Sequence, residues 1–255
     1  MIVIDHETIE GIPTLHVVDQ KKQKEKLPTI FFFHGYTSAK EHNLHIAYML
    51  ATKGFRVLLP DAIYHGERQV TEGHSDLKFW EIVLTSIHEL EKLKNDIVIK
   101  GLANGQFGVI GTSMGAITMY GALTRYPWIA SAVSFMGTAY YQAFLQEQLQ
   151  SLEEQEIELG QLKQEVLNQI KPYDLTAQLD RLNGRPLMIW HGKEDQVVPY
   201  PFSERLYDEL ERYYEEHPHR LKFIAEDRVA HKVSRTAVLS SIEWFEKHLL
   251  KDQIS

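Results

Sequence analysis

The chain has no cysteine. That absence removes disulfides, thiolate nucleophiles and cysteine-ligated zinc together, and it fits a cytoplasmic protein. Any covalent chemistry must therefore use another nucleophile. Long apolar stretches are missing too: no run approaches the roughly eighteen consecutive apolar residues of a membrane helix. The start, Met1-Ile2-Val3-Ile4-Asp5-His6-Glu7, carries neither a basic leader nor a small-residue cleavage site. The expectation is a cytoplasmic protein with no membrane partner. Positive charge is scarce as well. The formal net charge of -8 argues against nucleic acid as a partner, because phosphate contact needs clustered Lys and Arg. The one basic cluster, Lys21-Lys22-Gln23-Lys24-Glu25-Lys26, is interrupted by Glu25 and reads as a solvated turn.

What is present is enough apolar residue, 44% of 255, to bury one large core, so residues 1-255 read as a single domain. Short β-type runs alternate with longer helical ones, the pattern of a mostly parallel central sheet covered by helices on both faces, an α/β class. Residues 2-6 and 12-18 read as a leading hairpin. Strands are expected at 29-33, 56-59, 106-110, 130-135, 186-190 and 221-225. Helices are expected at 44-52, 77-94, 113-125, 202-214 and 234-250. Between the strands at 130-135 and 186-190 lies an insertion of about 138-175, rich in Gln, Glu and Leu. Its Leu145, Leu149 and Leu152, then Leu159, Leu162, Val166 and Ile170, recur at helical spacing. The spacing predicts two amphipathic helices broken near Gly160. Such a segment, leaving the C-terminal edge of the sheet, reads as a small helical lid. It also offers surface for a homodimer.

The pentapeptide Gly111-Thr112-Ser113-Met114-Gly115 follows the apolar run Phe107-Gly108-Val109-Ile110 and precedes a helical stretch. A strand that turns sharply into a helix holds its central residue in strained geometry and needs flanking positions without side chains. Gly111 and Gly115 meet that need, which leaves Ser113 exposed at the apex as a nucleophile.

Serine needs a base, and the base needs a carboxylate to fix its tautomer. After the strand at 186-190 comes His191-Gly192-Lys193-Glu194-Asp195-Gln196-Val197-Val198-Pro199, and after the strand at 221-225 comes Glu226-Asp227-Arg228-Val229-Ala230-His231. Asp195 and His231 thus fall at strand ends on the edge that carries Ser113, in the chain order Ser, Asp, His. Glu194 and Asp227 are the rival acids. A tetrahedral intermediate needs two donors for its oxyanion, and the sequence offers the amides of Met114, at the start of the elbow helix, and Tyr36, in the loop His34-Gly35-Tyr36-Thr37-Ser38. Tyr64, His65 and Arg68, in the loop after the strand at 56-59, read either as pocket wall or as a salt-bridged loop. Met136, Tyr140, Tyr141 and Phe144, together with Tyr36 and Tyr64, read either as an apolar substrate pocket or as core. Glu41, His42 and His45 lack a third ligand at a recognisable spacing, so no metal is expected.

Taken together, Gly-Thr-Ser-Met-Gly, His-Gly-Tyr followed by Ser-Ala-Lys, Asp61-x-x-x-His-Gly-Glu-Arg68, Trp190-His-Gly-x-x-Asp-x-x-Val-Pro199 and the late Ala230-His231 resemble the α/β-hydrolase superfamily. Within it the chain is most similar to the dienelactone-hydrolase and prolyl-oligopeptidase-like group, including esterases of Bacillus and related Firmicutes. The resemblance spans essentially the whole chain. It implies an α/β-hydrolase fold and a cofactor-free serine hydrolase acting on a small-molecule acyl ester. Dienelactone hydrolases proper carry cysteine at the elbow, so their lactone chemistry does not transfer to Ser113. The chain also has no counterpart of the β-propeller that selects peptides in prolyl oligopeptidases. The leading expectation is a carboxylesterase that works through an acyl-enzyme. Thioester or small-peptide hydrolysis is the alternative within enzymes, and a non-catalytic binding module is the alternative outside them.

Overall fold

The computed structural model describes residues 1–70, 78–153 and 162–250, and within them the β-type runs form one eight-stranded sheet. A hairpin opens it, β1 (Ile2–Ile9) and β2 (Ile12–Asp19). Glu10 and Gly11 join the two at positive φ, in the two-residue turn whose twist matches that of the strands. The chain continues through β3 (Leu27–Phe33), α1 (Leu44–Thr52), β4 (Arg56–Pro60), α2 (Phe79–Ile99), β5 (Ala103–Thr112), α3 (Met114–Arg125) and β6 (Ile129–Phe135). Then come α4 (Tyr141–Glu153), α5 (Leu162–Ile170), β7 (Leu187–Gly192), α6 (Tyr200–Glu211), β8 (Leu221–Glu226) and α7 (Arg235–Phe245). Strand order across the sheet is β1-β2-β4-β3-β5-β6-β7-β8. β2 runs antiparallel to both its neighbours, and β4 through β8 are parallel.

Both faces are covered, so the inner strands carry apolar residues on each side rather than alternating with polar ones. Phe31, Phe33, Val109 and Ile189 face a core shared with α2, α3 and α4. Ile30, Phe32, Ile110, Met188 and Trp190 face the opposite core, built with α1 and α7. Close approach on that second face depends on Gly108, where a Cβ would lie 2.8 Å from both Leu249 and Phe245.

Parallel register aligns the strand ends that matter. Phe33 pairs with Gly111, Thr112 with Phe135, Phe135 with Trp190, and Gly192 with Glu226. The loops after β3, β5, β7 and β8 therefore leave from one edge, where ligands of open α/β sheets bind.

Both helices of the insertion are present as α4 and α5; the break expected near Gly160 lies outside the described residues. One face of α4 is buried through Tyr141, Phe144, Leu145 and Leu149. Burying a side chain of that size stabilises by about 1.5–3 kcal/mol, so α4 is held down on α2 and α3. Trp80 Nε1 on α2 donates to Gln148 Oε1 at 2.9 Å. Three short 3-10 turns follow α5 before β7. Several helix ends differ from expectation, among them α6, which spans Tyr200–Glu211 rather than 202-214. α2 runs on to Ile99 because Ile97 is fully buried, and the last helix gives way at Glu246–Leu250 to a π-helical turn.

Candidate active site

Ser113 sits between β5 and α3 with φ 54° and ψ -116°, a conformation that non-glycine residues rarely adopt and that costs on the order of 1–3 kcal/mol. Surrounding structure enforces it. The Ser113 amide donates to Phe135 O at 2.9 Å, and the Ser113 carbonyl accepts from the amides of Ala116 and Ile117 at 2.9 and 3.0 Å. A Cβ on Gly111 would come within 2.1 Å of Gly115, and one on Gly115 within 2.1 Å of Phe33 O. Both flanking glycines are thus dictated by backbone packed against backbone.

Ser113 Oγ donates to His231 Nε2 at 2.9 Å, and His231 Nδ1 donates to Asp195 Oδ2 at 2.6 Å. The carboxylate fixes the imidazole with its proton on Nδ1, leaving Nε2 free to accept. His231 lies in the turn between β8 and α7. That turn is braced by Ser234, which caps α7 by accepting from the Ala237 amide and donates to Glu226 Oε1 at 2.6 Å. Trp190 Nε1 donates to the same Glu226 oxygen. Gly192 lets the Asp195 loop pass under the His231 loop, since a Cβ there would lie 2.3 Å from Val229 O.

Asp195 is buried and accepts four hydrogen bonds. Val197 and Val198 amides donate to Oδ1 at 2.8 and 3.0 Å, and His231 and His191 donate to Oδ2 at 2.6 and 3.1 Å. Burial by itself would raise the acid's pKa. The hydrogen bonds from His191, His231 and Val197, with the attraction of His231, outweigh it and hold the carboxyl well below the usual range. The rival acids lie elsewhere. Asp227 is 79% exposed at its side chain and pairs with Lys193, and Glu194 is exposed.

On the other side of Ser113, Gly35 brings the β3 loop against the elbow: a Cβ at Gly35 would sit 3.6 Å from that of Ser113. The first amide of α3, Met114, has no acceptor within its own helix. Tyr36 and Met114 thus belong to the two backbone segments that border Ser113.

The candidate pocket residues divide. His65, which reads either as pocket wall or as part of a salt-bridged loop, braces the β3 and β4 loops. It is fully buried, its Nδ1 donating to Ile63 O and its Nε2 accepting from the Thr37 amide at 3.1 Å. His34 spans the same two loops, donating to Gly35 O and accepting from the Ala62 amide at 3.0 Å. Burial pushes its pKa down to about 4, which suits an imidazole that must accept from an amide. Arg68 is engaged by Glu89 and Asp61 O. Beneath them the buried Lys40 binds Asp61, Glu67 and Glu41 at 2.6, 2.7 and 2.9 Å. Tyr64 donates to Glu81 at 2.9 Å, with Lys78 over its ring. Met136, at φ 46°, closes β6, and its amide donates to Trp190 O. Tyr140 stacks on Phe202 under the Arg205 guanidinium. Tyr141 is a core bolt, fully buried, with its hydroxyl on Ile117 O. Phe144 touches Phe79, which touches Tyr36, so an aromatic row runs from α4 to the β3 loop.

His191 escaped the sequence reading as a functional candidate, whereas His34 reads from sequence as a structural hydrogen bonder rather than a base. Each is the residue that ends or follows an apolar strand, and position alone does not show which way the ring points. Among the described residues no group of three or more His, Asp or Glu is arranged to hold a metal ion, and no helix is long and apolar enough to cross a membrane.

The strand order, the elbow at Ser113 and the strand-end loops around it define an α/β-hydrolase fold. Residues 100–252 match the model of the prolyl oligopeptidase family. The chain is 46% identical over 255 residues to "Putative esterase YitV" of Bacillus subtilis, covering 98% of this chain and 100% of that protein. It is 30% identical to Esterase YjfP of Escherichia coli, again over 98% and 100%. The crystal structure of TT1662 from Thermus thermophilus superposes with a TM-score of 0.76 at 19% identity, covering 98% of each chain. The chain belongs to the prolyl oligopeptidase family, and it is a serine hydrolase of the esterase type.

Proposed function

We propose that this protein hydrolyses small carboxylic esters through an acyl-enzyme formed on Ser113, with His231 as base and Asp195 as the acid that orients it. The observation that carries the reading is the unbroken line Ser113 Oγ, His231 Nε2, His231 Nδ1, Asp195 Oδ2, with links of 2.9 and 2.6 Å. Ser113 Oγ attacks the ester carbonyl carbon while its proton passes to His231 Nε2. The oxyanion takes hydrogen bonds from the Tyr36 and Met114 amides, the latter at the positive end of α3. Collapse expels the alcohol, which takes the proton from His231. Water, deprotonated by His231, then releases the acid and restores Ser113. No step calls on a metal or cofactor.

A fluorophosphonate probe tests the nucleophile, and a panel of esters, thioesters and amides of one acyl group tests the bond cleaved. The expected result is stoichiometric label on the peptide carrying Ser113 and a kcat/KM that ranks esters first. Label elsewhere removes the assignment of Ser113, and turnover confined to thioesters or amides removes the ester.

The same reading takes the chain as one domain in which α4 and α5 form a lid-like wall of the acyl site. Phe144 is its test residue, because the row Phe144, Phe79, Tyr36 reaches the loop beside Ser113, whereas Tyr141 only bolts α4 to α3. Phe144→Ala is expected to change the acyl chain-length profile of kcat/KM. Labelling by a small phosphonate should stay within about tenfold of the parent. An unchanged profile with only Tm lowered assigns α4 to packing.

A further inference from the structure

Asp195 Oδ2 serves two imidazoles. His231 approaches from the β8 loop, and His191 approaches from below, at the end of β7, with Nε2 at 3.1 Å. His191 is fully buried, and both of its nitrogens are engaged. Its Nε2 also lies 2.9 Å from Val198 O. A carboxylate and a carbonyl can only accept, so Nε2 bears the proton and donates to both. Its Nδ1 lies 2.7 Å from Ser203 Oγ on α6, and Ser203 Oγ is 3.3 Å from Gly137 O, just beyond β6. Ser203 Oγ donates to Gly137 O, so the His191 ring is tied at both ends, through Nε2 to the Asp195 loop and through Nδ1 to α6.

We infer that His191 is a positioning residue for the esterase chemistry: its Nε2–H holds Asp195 Oδ2 in the line of His231 Nδ1 and ties the acid's loop to α6 and the end of β6. The inference rests on the Ser113, His231, Asp195 reading above. Two features make the contact more than packing. Val197 and Val198 amides hold Oδ1 alone, so without His191 the second oxygen is fixed only by His231, the group it must orient. The His191 donor also draws negative charge on Oδ2 away from His231, and so moderates how strongly the acid stabilises the imidazolium. The Tyr200 phenol ring stands edge-on at 6.0 Å from α6, and the β7 neighbour across the pair on β8 is Ala225.

His191→Phe keeps a flat ring of similar volume and deletes the donor; His191→Gln keeps a donor of similar reach. For His191→Phe the expected result is a kcat lowered about ten- to a hundredfold, the range that one hydrogen bond to a charged group commands. KM should stay within about twofold, and the acidic limb of kcat/KM should move about half a unit to higher pH, since an Oδ2 relieved of its second donor stabilises the His231 imidazolium more. His191→Gln should recover most of kcat and return the limb to its parental position. An unmoved limb and kcat in a folded His191→Phe, with only Tm lowered, overturns the inference. Equal losses in the two variants overturn it too, because the ring and not the donor is then responsible. Nitrogen-15 shifts of the unmodified protein give a reading that needs no variant: the proton on Nε2 supports the inference, and a proton on Nδ1 alone overturns it. That tautomer is decided even if Ser113→Ala were to retain turnover, so failure of the triad and failure of the His191 contact are told apart.

Discussion

Ser113→Ala is expected to lower kcat for ester hydrolysis by about 10⁴-fold or more while the protein keeps its fold. Alanine retains the Cβ, so the strained turn at φ 54° is neither relieved nor worsened, and the backbone bonds to Phe135 O, Ala116 and Ile117 do not involve the side chain. Among the described residues the hydroxyl's one side-chain partner is His231 Nε2, and Ser113 is only half-buried, so its removal leaves no buried group stranded. The measurement is kcat with a chromogenic ester beside circular dichroism and Tm of the same preparation. Retention of most of the activity in a folded Ser113→Ala protein would remove Ser113 as the nucleophile.

Much of this architecture was legible because its causes are local. The elbow announces itself through two glycines whose missing side chains are required by contacts of 2.1 Å, and strand ends are marked by apolar runs that stop at polar loops. Ser113, Asp195 and His231 could be set on one edge because a parallel sheet sends all its C-terminal ends the same way. What did not show is what tertiary packing decides. Asn95 and Asp96 are poor helix formers, so the sequence stops α2 at Lys94; the structure carries it to Ile99 because Ile97 fills the core. β5 begins at Ala103, ahead of the apolar run, and its entrance is irregular. Gly105 is at φ 93° and the pairing shifts register near Phe107.

The histidines make the same point more sharply. Thirteen are present, and chain position separates His231 from most of them. It does not show where the rings of His34, His65 and His191 point; these residues follow or lie near strand ends, and their rings turn inward to satisfy amides, carbonyls and the Asp195 carboxylate. Their partners are far in sequence or fixed by turns. His65 reaches the Thr37 amide 28 residues back, so a pocket residue and a loop brace look alike until the ring is placed.

The acid separates the site from its surroundings most clearly, because the two aspartates that compete for the role differ in every physical respect. Asp195 is 6% exposed and saturated by four donors; Asp227 is exposed and bonded to Lys193 across the loop. Asp195→Asn substitutes an amide whose NH₂ or oxygen must face His231 Nδ1. If the oxygen faces Oδ1's donors, the NH₂ opposes both imidazoles and drives His231 to the tautomer with its proton on Nε2, where it cannot accept from Ser113. The expected loss in kcat is about 10⁴-fold, with KM nearly unchanged, and His231→Ala should lose at least as much. Asp227→Asn deletes only an exposed ion pair, so kcat and Tm should both stay close to the parent, kcat within about twofold. Kinetics of the three variants at one pH, with folding checked by circular dichroism, decide between the loops. Full activity in Asp195→Asn together with collapse in Asp227→Asn would move the acid to the β8 loop, and the line from Ser113 through His231 would then have to end there.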